Sequence, residues 1–179
     1  ESALAGIAGE LRTAGSARER ARYWGVLGEV RRHAGKLAEA EGAYTRARDI
    51  AADTGDTYLQ AAAENGLALT LNARAGRAAA TGADTGAEAQ VARRLFERAA
   101  ERAQAGGHAT LAASAWINAA RLAYAGGTPD AGARLIDRAE AALDGSRDSR
   151  AAAYALTALG ELAGRHGSAR APTALDRAR

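Results

Sequence analysis

The sequence predicts an all-α protein built from stacked pairs of helices. Three observations predict this class: apolar residues recur at helical spacing, glycines interrupt that spacing at intervals, and one pattern returns about every 40 residues. Hydrophobic residues make up 47% of the chain but aromatic residues only 4%, because alanine fills most apolar positions. Small side chains suit thin layers between helices better than one thick globular core.

The clearest unit is the first repeat, residues 16–55. Ser16 and Glu19 have the spacing of a capping box at the start of its first helix, and Gly35 permits a left-handed turn between its two helices. Glycine on a helix face lets a second backbone approach closely. We expect the two helices to meet through Trp24, Leu27 and Gly28 on the first and Ala40, Tyr44 and Ala47 on the second.

This pattern resembles the tetratricopeptide repeat signature, in which W-x2-L-G on one helix is followed by A-x3-F on the next. The resemblance implies a right-handed α-solenoid of antiparallel helix pairs, with the first helix of each pair lining a concave groove. The period of about 40 residues exceeds the family's 34. Such long repeats resemble the sensor arrays of bacterial transcription regulators, so we expect residues 1–179 to be one segment of a larger bacterial regulatory or signalling protein.

The second repeat, residues 56–107, departs from the first in two ways. Glu64 stands where the frame expects a tryptophan, and residues 77–86 form a Gly/Ala/Thr stretch that predicts an inserted loop on the edge of the array. The spacing of Thr57 and Gln60 predicts the cap of its first helix. Its second helix is expected to pack through Ala92, Phe96 and Ala99.

The same frame covers the rest of the chain. Trp116 lies 52 residues after Glu64, which equals the 40-residue period plus a 12-residue insertion, and it places a third repeat at residues 108–145. Residues 146–179 predict a truncated fourth repeat, and residues 1–15 predict the second helix of a partial one. Helix breaks are expected near Gly15, Gly35, Gly55, Gly76, Gly107, Gly127, Gly145 and Gly167.

Nothing in the sequence indicates catalysis, a metal or a cofactor. The chain has no cysteine, and none of its three histidines is followed three or four residues later by another His, Asp or Glu that could share a metal ion. No nucleophile elbow or phosphate loop is present. No apolar run is long enough to cross a membrane, so we expect a cytoplasmic protein that contacts none. We therefore expect a protein that is not an enzyme.

The asparagines are the informative polar residues, because asparagine is a poor helix former and all three lie inside predicted first helices. Asn65 and Asn72 are seven residues apart and share one stripe, and a side-chain amide suits the backbone of a bound peptide. The resemblance assigns this stripe to the groove. The candidate groove residues are Glu29, Arg32, Asn65, Leu69, Asn72, Ile117, Asn118, Arg121 and Tyr124.

We therefore expect a scaffold or sensor module that binds a protein or peptide ligand. One alternative is a purely structural array that forms homo-oligomers. Nucleic-acid binding is a further alternative, suggested by 24 Lys and Arg residues, but 21 acidic residues alternate with them and leave a net charge of only +3.

Overall fold

Helices account for every regular element in residues 15–144 and 150–166, which are the residues that the structure describes. Within these ranges the predicted all-α class is confirmed. Residues 1–14 of the predicted partial repeat 1–15 lie outside them, as do the breaks predicted at Gly145 and Gly167 and residues 167–179 of the predicted fourth repeat. The computed structural model has α1 Ala17–His33, α2 Leu37–Asp53, α3 Thr57–Ala79, α4 Gly86–Ala105, α5 Ala109–Ala125, α6 Pro129–Leu143 and α7 Arg150–Arg165.

The helices pack in a regular order. Each helix contacts the next one along the chain, and α1 also contacts α3, α3 contacts α5, and α5 contacts α7. Connections of three residues join α1 to α2, α2 to α3, α4 to α5 and α5 to α6, so these packed neighbours run in opposite directions. The odd-numbered helices therefore form one continuous layer, on which the even-numbered helices pack.

The turns between helices use glycine in the left-handed conformation, which was predicted for Gly35. Gly35, Gly55, Gly107 and Gly127 have φ values of 75°, 67°, 76° and 70°. In each turn the N–H after the glycine bonds to a carbonyl five residues earlier; the Lys36 N–H, for example, bonds to the Arg31 carbonyl at 2.9 Å. This arrangement satisfies helix carbonyls that would otherwise lack a donor.

The inserted residues of the second repeat lengthen a helix rather than form the whole loop predicted at residues 77–86. Helix α3 continues past Gly76 to Ala79, and only residues 80–85 connect it to α4. Arg77 stabilises the extension because its Nη1 donates to the Gly35 carbonyl at 2.9 Å. Alanine, which has the highest helix propensity, supplies much of the added turn.

The helix starts agree with the sequence at Ser16 and differ at Thr57. Ser16 and Glu19 form the predicted capping box. Thr57 is instead the first residue of α3, and Asp56 caps this helix by accepting from the Leu59 N–H at 3.0 Å. The N-cap residue is thus Asp56, one residue before the Thr57 that the spacing of Thr57 and Gln60 predicted.

The core is thin and rich in alanine. The predicted inner residues Tyr44 and Phe96 of the second helices are 6% and 1% exposed, and Ile136, at the corresponding position of α6, is 0% exposed. Trp24 and Trp116 are also buried, at 8% and 1%. The burial that the pattern predicted for the inner helix faces is therefore confirmed at these residues.

One arginine recurs at the same place in each repeat and covers the residue at the tryptophan position. Arg46 lies over the Trp24 ring, with Cζ 4.5 Å from its centroid, and Arg138 lies over the Trp116 ring at 4.8 Å. Both arginines follow their tryptophan by 22 residues. Such cation–π contacts contribute about 0.5 to 2 kcal/mol each.

In the second repeat this arginine meets a carboxylate instead. Arg98 follows Glu64 by 34 residues, the same offset plus the 12-residue insertion, and its Nη2 lies 2.8 Å from Glu64 Oε1. Arg102 Nε lies 3.3 Å from Oε2. Glu64, which stands where the frame expects a tryptophan, is therefore a buried acid, and its side chain is 0% exposed.

Candidate functional site

A cleft of about 320 Å³ lies between α1 and α3, and we call it the first cleft. Four of the predicted groove residues line it together: Glu29 and Arg32 from α1, and Asn65 and Leu69 from α3. Helix α2 contributes Tyr44, and α5 contributes Leu111. The first cleft is therefore lined by three odd-numbered helices, one from each of three successive predicted repeats.

The Tyr44 ring borders the first cleft on the side of α2 and packs between Gly28 and Gly66. A methyl group on Gly28 would lie 2.9 Å from Tyr44 Cγ, and one on Gly66 would overlap the ring more severely. Burial raises the pKa of the Tyr44 phenol, and a hydrogen bond from Arg32 opposes this rise. The phenol therefore stays protonated at neutral pH and helps to fix the Arg32 guanidinium.

Two polar atoms at the first cleft are buried without a hydrogen-bond partner among the described residues. They are the Asn65 side-chain oxygen and the Nε of Arg32. The Arg32 guanidinium otherwise contacts the Tyr44 hydroxyl and, through Nη2, His33 Nε2 at 2.9 Å. A buried polar group that lacks a partner costs about 1 to 3 kcal/mol. Both atoms have almost no exposed surface, so a bound molecule could reach this acceptor and this donor only if the two side chains rotate toward the cleft.

The rim of the first cleft is apolar, which the sequence analysis did not predict. Val26 is 62% exposed and Tyr58 46% exposed, although both are large hydrophobic residues. Tyr58 also meets the His108 ring edge-on, with centroids 5.0 Å apart. Exposed apolar side chains beside partnerless polar atoms are typical of ligand clefts. Val26, an apolar residue on the charged helix α1, is the sequence signal that could have identified this rim.

A second cleft of about 470 Å³ lies where α3, α4 and α5 meet. Asn72 lines it, together with Gln90, Arg93 and Leu122. Arg93 Nε is buried without a hydrogen bond, although Glu97 Oε1 lies within ion-pair distance at 3.5 Å. The structure therefore assigns Asn65 and Asn72, which share one stripe of α3, to two different clefts.

The remaining predicted groove residues line neither cleft. Ile117 is 3% exposed and packs in the core cluster that includes α7 residues, so in this conformation it presents almost no surface to a ligand. Asn118 accepts a long bond of 3.5 Å from Arg121 Nη1. Tyr124 stacks on His166, with ring centroids 3.7 Å apart and planes inclined by 3°.

The described residues contain no cluster of three or more side chains able to hold a metal ion. Over the same residues, no helix combines the length and apolar character needed to cross a bilayer.

Comparison with known proteins gives a likeness of fold. No protein-family model matches the chain, and no curated protein does. A solved structure described as the crystal structure of BtubC (BKLC) from P. vanneervenii is similar to it, with a TM-score of 0.69 and 19% sequence identity. The match covers 99% of this chain and 69% of that one. At this identity the likeness shows a shared helical fold alone.

Proposed function

We propose that this chain is a protein- or peptide-binding module of a larger regulatory protein, built as a right-handed solenoid of tetratricopeptide type. Two features support the solenoid: the contacts of α1 with α3, α3 with α5 and α5 with α7, and the arginine that returns at one offset in each repeat. In this architecture the odd-numbered helices form the concave, ligand-binding face.

The observation that carries the proposal is the pair of partnerless atoms in the first cleft. Asn65 supplies an acceptor and Arg32 a donor, and a peptide backbone offers the complement of both. Val26, Tyr58 and Leu69 lie beside them and would contact an apolar side chain of the ligand. Burying one such side chain contributes about 1.5 to 3 kcal/mol.

Selection from a random peptide library followed by calorimetry tests the proposal. Replacing Asn65 by alanine should weaken binding of the selected peptide by roughly 5- to 150-fold, because a hydrogen bond in a desolvated site is lost. Thermal stability should stay level or rise, since the variant removes a buried atom that has no partner and improves helix propensity. Gln104→Ala, an exposed change on α4, is the matched control.

Three outcomes would overturn this function. The first is a library that yields no binder. The second is unchanged affinity in Asn65→Ala for a peptide that cross-links to the first cleft. The third is a selected peptide that protects other surfaces. If the chain instead self-associates and loses peptide binding as it does so, the homo-oligomer alternative gains support.

Nucleic-acid binding has less support. It needs a contiguous cationic face, and many of the described arginines are instead in ion pairs with acids, as Arg74 is with both Glu41 and Glu88. Measuring nucleic-acid affinity at increasing salt concentrations tests this alternative, and we expect the affinity to depend only weakly on salt.

A further inference from the structure

Helix α1 carries two exposed valines on one side. Val26 is 62% exposed and Val30 59% exposed, and because they are four residues apart they lie next to each other on the helix. Valine is a weaker helix former than alanine, since its branched side chain loses rotamer freedom in a helix. The two valines therefore point to packing rather than to helix formation.

The later first helices bury the same positions. In α3 the counterparts of the two valines, 40 residues on, are Gly66 and Thr70, and both are buried. The exposure is therefore peculiar to α1 among the first helices that the structure describes. In α5 and α7 the counterparts are buried or partly buried: Asn118, Leu122, Ala158 and Leu162.

In α3 the preceding second helix covers this side. A methyl group on Gly66 would overlap the Tyr44 ring of α2. Ala63, one turn earlier on α3, packs in one cluster with Ala47 of α2. A first helix thus receives the second helix of the repeat before it on this side.

Shifting these two contacts back by the 40-residue period identifies what would lie on α1. The pairs become Leu4 with Val26 and Ile7 with Tyr23. We call the side of α1 that carries Tyr23, Val26 and Val30 the α1 face. The side-chain sizes agree with this pairing, because the large Tyr44 lies on a glycine whereas the smaller Leu4 would meet a valine.

Residues 1–14 also join the chain next to the α1 face. Only Gly15 and Ser16 separate them from α1, and the Arg20 guanidinium donates to the Gly15 carbonyl. Similarly short connections join the antiparallel neighbours elsewhere in the fold. A segment held so close has a high effective concentration at the α1 face, which favours it over a second copy of the chain.

We infer that residues 1–14 form an amphipathic helix that packs on the α1 face. Leu4 contacts Val26, and Ile7 contacts Tyr23. Leu4, Ile7 and Leu11 recur at helical spacing and so place three apolar side chains on one side of the segment. Val26 is then covered, as its counterparts are in the later repeats.

The inference bears on the first cleft but does not depend on peptide binding. Val26 borders both the α1 face and the first cleft, so Leu4 would close that side of the cleft. The apolar contacts left to a bound peptide would then be Tyr58 and Leu69.

Thiol labelling of the full chain tests whether the α1 face is covered, because the chain has no cysteine of its own. Val26→Cys should react with a maleimide at least about tenfold more slowly than Val91→Cys, since a covered thiol reacts only when the segment opens. Val91 is the matched control because it is 49% exposed and lies on α4.

Two further variants test whether residues 1–14 are the cover. Adding Leu4→Asp/Ile7→Asp to Val26→Cys should restore fast labelling, because a carboxylate cannot be buried against the α1 face without a partner. Adding Ser2→Asp/Thr13→Asp should not, since these positions lie on the opposite side of the same predicted helix.

Several results would overturn the inference. Equal labelling of Val26→Cys and Val91→Cys would mean that the α1 face is open. Protection that survives Leu4→Asp/Ile7→Asp would exclude residues 1–14 as the cover, and protection that rises with protein concentration would indicate a second copy of the chain.

Should circular dichroism show that Leu4→Asp/Ile7→Asp unfolds the chain, oxidation of a cysteine pair replaces it. An intrachain disulfide should form in Leu4→Cys/Val26→Cys at least about tenfold faster than in Ser2→Cys/Val26→Cys, because a disulfide requires neighbouring Cβ atoms. Equal rates would overturn the inference. Both readouts are independent of peptide affinity, which tests the proposed function.

Discussion

Removing both arginines that hold Glu64 should destabilise the protein by about 3 to 5 kcal/mol, the usual consequence of leaving a buried charge without its partner. The Glu64 side chain is 0% exposed, with Arg98 at 2.8 Å and Arg102 at 3.3 Å. In Arg98→Ala/Arg102→Ala the carboxylate would lose both cations. Removing the Glu64 carboxylate instead should destabilise the protein less. The Arg98 side chain is 57% exposed and that of Arg102 is 32% exposed, so water can solvate both cations.

A second set of variants isolates the ion pair from other effects of the arginines. Glu64→Leu keeps the volume of the buried side chain and removes its charge. Adding Arg98→Ala/Arg102→Ala to that background should change stability little, since a hydrophobic replacement of a buried ion pair is often neutral or stabilising. The difference between the two backgrounds is the coupling free energy.

Urea denaturation followed by circular dichroism measures these free energies, with the slope checked for constancy across the variants. A coupling free energy below about 1 kcal/mol, the range of exposed pairs, would refute the reasoning. It would mean that these arginines do not compensate the buried carboxylate.

Two further predictions follow from the helix contacts and the connection after α3. Gly66→Ala should lower stability by about 1 to 3 kcal/mol because its methyl group overlaps the Tyr44 ring. Gly42→Ala is the matched control: nothing lies within 4 Å of its added atom, so it should raise stability by up to about 1 kcal/mol. Equal urea midpoints for the two variants would contradict this. In limited proteolysis, an Asp-specific protease should cut first at Asp84, in the connection between α3 and α4. Trypsin should spare Arg77, because this residue lies within α3 and donates a hydrogen bond to the Gly35 carbonyl. Early tryptic cleavage at Arg77 would contradict the helix extension.

The helices and their turns could be predicted from the sequence because their causes are local. Gly35 and Gly127 were expected to end helices, Gly35 with a left-handed turn, and Ser16 to cap one, since each depends on a few neighbouring residues. The end of α3 depended on a distant contact between Arg77 and Gly35, which no local pattern records. The predicted break at Gly76 failed for this reason.

The candidate site was predicted in part. The 40-residue frame brought Glu29, Arg32, Asn65 and Leu69 to one cleft, because residues on one stripe of adjacent first helices become neighbours when those helices stack. Ile117 occupies the same register position as Asn65, yet the α7 residues in its cluster help to bury it. Burial at such a position depends on the following repeat, and the first-repeat pattern alone cannot indicate it.

Glu64 was missed because a single acid within a helix usually faces water. Its partner was visible only by comparing repeats, since Arg98 keeps the offset of Arg46 and Arg138 once the insertion is counted.

The recurring arginine has a consequence for how such an array can diverge. A guanidinium presents a flat cationic face that suits an indole and an edge of N–H donors that suits a carboxylate. One unchanged residue on the second helix therefore accepts chemically opposite partners on the first, as Trp24, Glu64 and Trp116 illustrate. Exchange of first helices between repeats, by recombination within the gene, would leave each new pair with a compatible contact at this position.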